Sequence, residues 1–252
     1  MTDKNLTIIE HIDEFRNRLV VIVGFFVVAV LGSFFLAKPL IQFLQLDGEA
    51  ENITLNAFNV IDPIMIYLKV IIFIAFIIIS PVLMYQLWSF ISPGLHERER
   101  RATLSYIPFT FILSVGGILF SYLVLLPYVM RFMMNLSNDL GIVQTIGINE
   151  YFNFLFQLTI PFAIVFQLPV VLLFLTRLGI LNPTQLVQIR KYAYFGLFVI
   201  AAFITPPDIV SHLFVTVPLF ILYEISVFIS RFGYRKYLKA EQQRQIDEAE
   251  EQ

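Results

Sequence analysis

The side chains able to do chemistry are few and scattered. Three histidines stand at positions 11, 96 and 212, too far apart in sequence for a local metal site, and cysteine is absent. The missing cysteine excludes disulfides, thiol nucleophiles and thiolate-bound metals. No Gly-rich phosphate loop follows a strand, and the pair Gly116-Gly117 sits inside a long apolar run. These patterns predict no enzyme, no metal and no cofactor. Two charged clusters draw attention instead. "EHIDEFRNRL", Glu10 to Leu19, mixes both signs, unlike the basic front of a secretory signal peptide. "HERERR", His96 to Arg101, sets Glu97 and Glu99 among three arginines, which weakens any plain basic patch.

The elements that must hold these clusters follow from composition. Of 252 residues 58% are hydrophobic, only 14% are charged and 27 are Phe; the mean hydropathy is +0.78. A soluble fold of this size cannot bury so much apolar surface, so the sequence predicts an all-α membrane protein, a polytopic helix bundle. The charge-free runs are Leu19–Ala37, Val70–His96, Ala102–Met130, Tyr151–Thr176 and Tyr192–Pro207, with a sixth from Ile209 that Glu224 interrupts. They predict six transmembrane helices at roughly 17–37, 66–90, 103–128, 152–176, 191–205 and 209–230, then a polar, helix-prone tail over 231–252. The fifth run has 16 residues, which reach only about 24 Å, short of the ~30 Å hydrocarbon layer. "TPPD", Thr205 to Asp208, makes the fifth and sixth a tight hairpin. In "KPLIQFLQL", Leu40, Phe43 and Leu44 recur at helical spacing and predict a short helix lying on the outer interface.

Orientation follows from Lys and Arg. With the N-terminus in the cytoplasm, 14 of them fall inside and only Lys38, Lys69 and Arg131 lie at the outer ends of spans. By the positive-inside rule both termini are cytoplasmic.

Polar residues inside the spans are costly, which makes each informative. Gln167 lies just before Leu168-Pro169 in the fourth span, and Glu224 lies in the sixth. Gln167 either hydrogen-bonds a neighbouring helix beside the backbone group that Pro169 frees, or serves a function. Glu224 either snorkels or stays protonated near the inner face, or serves a function. With Pro206 and Asp208 in the hairpin turn, these form the intramembrane set of candidate partner-helix contacts. An ion-coupled small-molecule secondary transporter is the alternative reading, but it calls for more intramembrane carboxylates and a visible inverted repeat. A passive membrane scaffold is a third.

On a helix, Ile8, Ile12, Phe15 and Leu19 form one stripe, an amphipathic lead-in to the first span. Glu14 and Arg18 are spaced i, i+4 and predict an exposed pair of little worth. "HIDEFRNRL" resembles the H-[LI]-x-E-L-R-x-R-L signature of the TatC family, the C subunit of the twin-arginine protein translocase, with Phe15 in place of the usual Leu. "YQLWSFISPGLHERERR" resembles that family's first cytoplasmic loop, and "ITPPD" with "LYEISVFISR" its last hairpin.

The resemblance implies a receptor and core subunit in a bacterial-type cytoplasmic membrane, exporting folded proteins whose signal peptides carry two consecutive arginines. It implies signal-peptide binding by Glu14 and Glu99, with His11, Arg16, Phe90, Pro93 and Leu95 around them. It also implies single-span partners of the TatA type, possible TatB-type partners and further copies of the chain, with energy drawn from the proton-motive force and no nucleic acid. The chemistry suits the assignment. A guanidinium is planar, permanently charged and able to make two parallel hydrogen bonds to a carboxylate, whereas lysine is a point charge. Two positions depart from the family pattern: Gln167 stands where Glu is frequent, and Ser211-His212 where Ser-Gln is common. The first weakens a charge or proton role there, and the second introduces an imidazole.

Overall fold

The computed structural model describes residues 8–46, 55–91, 107–177, 179–205 and 208–250. In chain order the helices are α1 (Ile8–Leu46), α2 (Asp62–Ile91), α3 (Ile107–Phe120), α4 (Leu126–Asp139), α5 (Ile148–Val165), α6 (Leu168–Arg177), α7 (Pro183–Gln188), α8 (Arg190–Ile204) and α9 (Ile209–Glu250), with short strands β1 (Leu55–Asn56) and β2 (Ile146–Gly147). Among the described residues, five helical stretches are long and apolar enough to cross a membrane: Asp13–Gln45, Asp62–Gln86, Pro108–Asp139, Ile148–Arg177 and Ile209–Lys239. Lipid offers no hydrogen bonds to the backbone, so spanning segments must satisfy their own, as helices do. The remaining sequence-predicted span corresponds to α8, whose 15 residues reach about 22 Å. The chain forms two compact units, Met1–Phe111 with Thr145–Asn153, and Ile112–Gln144 with Phe154–Gln252.

In the first unit α1 packs on α2. Ala29, Ser33 and Ala37, spaced by four, form a buried stripe on α1, and Ile66, Val70 and Ile74 are buried on α2. Small residues let the helices approach where lipid supplies no hydrophobic drive between them. Tyr67 stacks edge-on to Phe34 and donates its hydroxyl to the Phe34 carbonyl at 2.8 Å. Pro81 inside α2 cannot hydrogen-bond the Ile77 carbonyl, and the Ser80 hydroxyl donates to that oxygen instead, at 2.8 Å. The residues expected to form a short interfacial helix are helical, but as the end of α1, which continues through Pro39 to Leu46. Leu44, seven residues beyond Ala37, extends the same buried stripe, so packing carries the helix past the proline. Beyond it β1 pairs in parallel with β2, Leu55 opposite Ile146 and Asn56 opposite Gly147. Lys69 Nζ donates to Asn149 Oδ1 at 2.8 Å and Asn153 Oδ1 at 2.6 Å.

The second unit is shaped by prolines and close approaches. A π-helical turn, Ser121–Leu125, joins α3 to α4, with the Leu126 N–H donating to the Ser121 carbonyl. The wider turn makes room for Pro127, whose ring would clash with an ordinary preceding turn. The helix then runs on to Asp139, beyond the predicted end at 128. A Cβ at Gly117 would lie 2.8 Å from the Phe162 carbonyl oxygen, so this glycine is a packing surface. α9 packs on α6, where a Cβ at Gly233 would meet the Leu173 carbonyl at 2.8 Å. The tail expected to be helix-prone from residue 231 is helical and continues α9 to Glu250.

Candidate functional site

The N-terminal half of the predicted site is built on α1 and the end of α2. Arg18 is its organiser. Its Nη2 and Nε both donate to Glu14 Oε1, the latter at 3.1 Å. Nη2 also donates to the Ser89 carbonyl at 2.9 Å, and Nη1 reaches Gln86 Oε1 at 3.4 Å. Ser89 lies in the last turn of α2, where carbonyls have no partner within the helix and a cation is favoured. The pair expected to be exposed therefore has side chains only 20% and 24% exposed, and it ties two helices together. The difference comes from α2, which sequence spacing within α1 could not reveal.

Beside this clamp lies a groove of about 470 Å³ lined by Asp13, Glu14, Asn17, Arg18, Val21 and Gln86. It presents two carboxylates, two amides, the Arg18 guanidinium and one apolar side chain. Arg16 is not a lining residue but pairs with one, Asp13, at 3.2 Å, with side chains 70% and 54% exposed. His11 and Phe90 belong to α1 and α2, but their side chains lie outside the described residues, as do Pro93, Leu95 and Glu99 entirely. The structure thus brings Glu14 to a groove and leaves the Glu99 half of the prediction outside the described residues.

The intramembrane set falls in the second unit. Gln167 is buried in the break between α5 and α6, where its carbonyl accepts the N–H groups of Val170 and Val171. The fourth predicted span is thus two helices in one stretch. Pro169 explains the break: it has no N–H for the Val165 carbonyl, and its ring disfavours a helical residue before it. Glu224 neither snorkels nor stands alone. Arg190 Nη2 donates to its Oε2 at 2.6 Å and the Tyr194 hydroxyl to its Oε1 at 2.5 Å. Sequence reasoning missed Arg190 and Tyr194, although the hairpin contained the signal. Arg190 lies 17 residues before Pro207 and Glu224 17 after; Tyr194 and Phe220, each 13 away, stack with centroids 4.5 Å apart. Antiparallel arms of equal rise bring equidistant residues together.

At the turn, Asp208 caps α9, its Oδ1 accepting the Ser211 N–H at 2.6 Å. Thr205 Oγ1 is 3.3 Å from His212 Nδ1, and His212 packs edge-on to Phe198 with centroids 4.4 Å apart. Asp208 Oδ2, Ser211 Oγ, His212 Nε2 and Thr216 Oγ1 are buried with no hydrogen-bond partner among the described residues. Pro206 lies outside the described residues.

Known proteins share this plan. A family model described as Sec-independent protein translocase protein (TatC) matches residues 10–218. The chain is 54% identical to Sec-independent protein translocase protein TatCy of Bacillus subtilis (strain 168) over 240 residues, 95% of the chain and 94% of the relative. It is 49% identical to Sec-independent protein translocase protein TatC of Halalkalibacterium halodurans over 252 residues, 100% of both. A crystal structure of the twin arginine translocase receptor TatC superposes with a TM-score of 0.78 at 32% identity, covering 89% of this chain and 99% of that one. These matches leave the small-molecule transporter reading without support. With a family model and full-length relatives in agreement, the chain belongs to the TatC family of Sec-independent protein translocase proteins.

Proposed function

We propose that this subunit is the signal-reading receptor and core of a twin-arginine translocase in the cytoplasmic membrane, with six spans and both termini in the cytoplasm. Glu14 and Glu99 each take one arginine of the signal peptide, while His11, Arg16, Phe90, Pro93 and Leu95 shape the surroundings. The observation that carries this reading is the Glu14 carboxylate, seated at a groove and already holding the guanidinium of Arg18. A position that accepts one guanidinium has the charge and geometry for another, by sharing or exchange.

Single-span partners of the TatA or TatB type, or further copies of the chain, dock along the outer helix faces. Unpartnered polar atoms near Asp208 and His212 favour the hairpin for this. Such atoms are costly in an apolar span, and a polar side chain from a partner helix would relieve them.

The test is photocrosslinking from positions 14 and 99 to a signal peptide bearing Arg-Arg, with Lys-Lys as control. Labelling by Arg-Arg alone supports the receptor role. Equal labelling by both peptides, or none, overturns it and leaves the opening charges as a surface anchor.

A further inference from the structure

The α6–α9 region carries a second groove, of about 490 Å³, that the signal-reading role does not use. One wall is α7, contributing Pro183, Thr184 and Val187; the other is α9 just past its apolar stretch, contributing Arg231, Tyr234 and Arg235. Arg231 and Arg235 lie one turn apart on the same face, so their guanidiniums can converge on one small anion. Both are exposed, and neither forms a hydrogen bond or ion pair with another described residue. No carboxylate lines the groove.

Depth identifies the anion. From Ile209 to Ser230, α9 runs 22 residues whose one Asp, Glu, Lys or Arg is Glu224, paired with Arg190, about 33 Å at helical rise, which matches the hydrocarbon layer. Arg231 therefore emerges at headgroup level and Arg235 about 6 Å beyond. The α7 wall is anchored: Leu186 is buried, its carbonyl accepts the Tyr223 hydroxyl at 2.8 Å, and Asn182 and Gln185 form a capping box. Pro183 and Val187 offer an apolar edge for an acyl chain, while Thr184 and Tyr234 offer hydroxyls beside the guanidiniums.

We propose that this groove binds the phosphate of an anionic membrane lipid, held in a fork between Arg231 and Arg235. The site is a fixed contact rather than diffuse attraction to a charged surface, because two arginines, a rigid wall and the membrane depth coincide. It rests on the membrane setting of α9 and not on signal-peptide binding.

The experiment is native mass spectrometry of the full chain released from non-ionic detergent. Dioleoylphosphatidylglycerol is compared with dioleoylphosphatidylcholine, and inorganic phosphate is the competitor. Wild type retains the phosphatidylglycerol and not the phosphatidylcholine. The double variant R231Q/R235Q loses about tenfold or more of that retention. K236Q/K239Q removes the same charge from the same helix and changes it less than about twofold. R231K/R235K keeps charge and fold but lacks the planar fork, and falls between them. Equal loss in the two glutamine variants, equal retention of the two lipids, or displacement by millimolar inorganic phosphate would each overturn the proposal.

Discussion

In α1 the Arg18–Glu14 pair closes within one turn of a single helix, whereas Arg190–Glu224 joins α8 to α9 across 34 residues. The side chains of the first pair are 20% and 24% exposed, those of the second 38% and 39%. The local pair gains its shelter from α2, through the Ser89 carbonyl and Gln86. The distant pair gains support from the Tyr194 hydroxyl and the stack of Tyr194 on Phe220. Identical chemistry therefore serves two ends. On the proposed function, opening the first pair would free a carboxylate for an incoming guanidinium while both residues stay on one intact helix. Opening the second would release a clasp between two helices, one of them only 15 residues long.

The largest expected effect separates these roles by binding. Replacing Glu14 by Gln removes one charged acceptor and should weaken an Arg-Arg signal peptide about 10- to 100-fold, whereas Glu224→Gln should leave its affinity within about twofold. Fluorescence titration with a labelled peptide reads both; comparable losses would mean that the two pairs form one functional system. The intermediate effect reverses the contrast. Glu224→Ala should lower stability by about 1 kcal/mol and couple to Arg190→Ala in a double-mutant cycle, because the pair is only partly shielded from solvent. Thermal unfolding in detergent supplies the numbers, and purely additive losses would remove the clasp. The smallest effect sharpens the scale. Arg16→Ala breaks only the open pair with Asp13 and should shift stability by less than about 0.5 kcal/mol.

Much of the plan was legible in the chain itself. Charge-free runs located the long spans because the bilayer demands length and apolarity together. The i, i+4 spacing announced Glu14 with Arg18, since helix geometry makes such residues neighbours. What spacing along one helix cannot show is a partner from another element. Gln86 and Ser89 were invisible for that reason, and so were the Asn149 and Asn153 amides that hold Lys69. The β1–β2 pairing was equally hidden, being two residues per strand from distant parts of the sequence. Prolines misled in both directions. The segment around Pro39 was expected to form a short interfacial helix, yet the buried stripe carries α1 through it; residues 152–176 were expected as one span, yet α5 and α6 separate just before Pro169. Packing along the buried stripe decided the first case, and the proline's own missing N–H and ring decided the second.

The equidistance of Arg190 and Glu224 from the turn has a consequence for how this hairpin can change over evolutionary time. Inserting one residue in α8 between Tyr194 and the turn rotates Arg190 by about 100° and moves it away from Glu224, taking the Tyr194–Phe220 stack with it. A compensating insertion in α9 restores both. The two arms are therefore heritable only as a matched set, and their lengths should drift together or not at all.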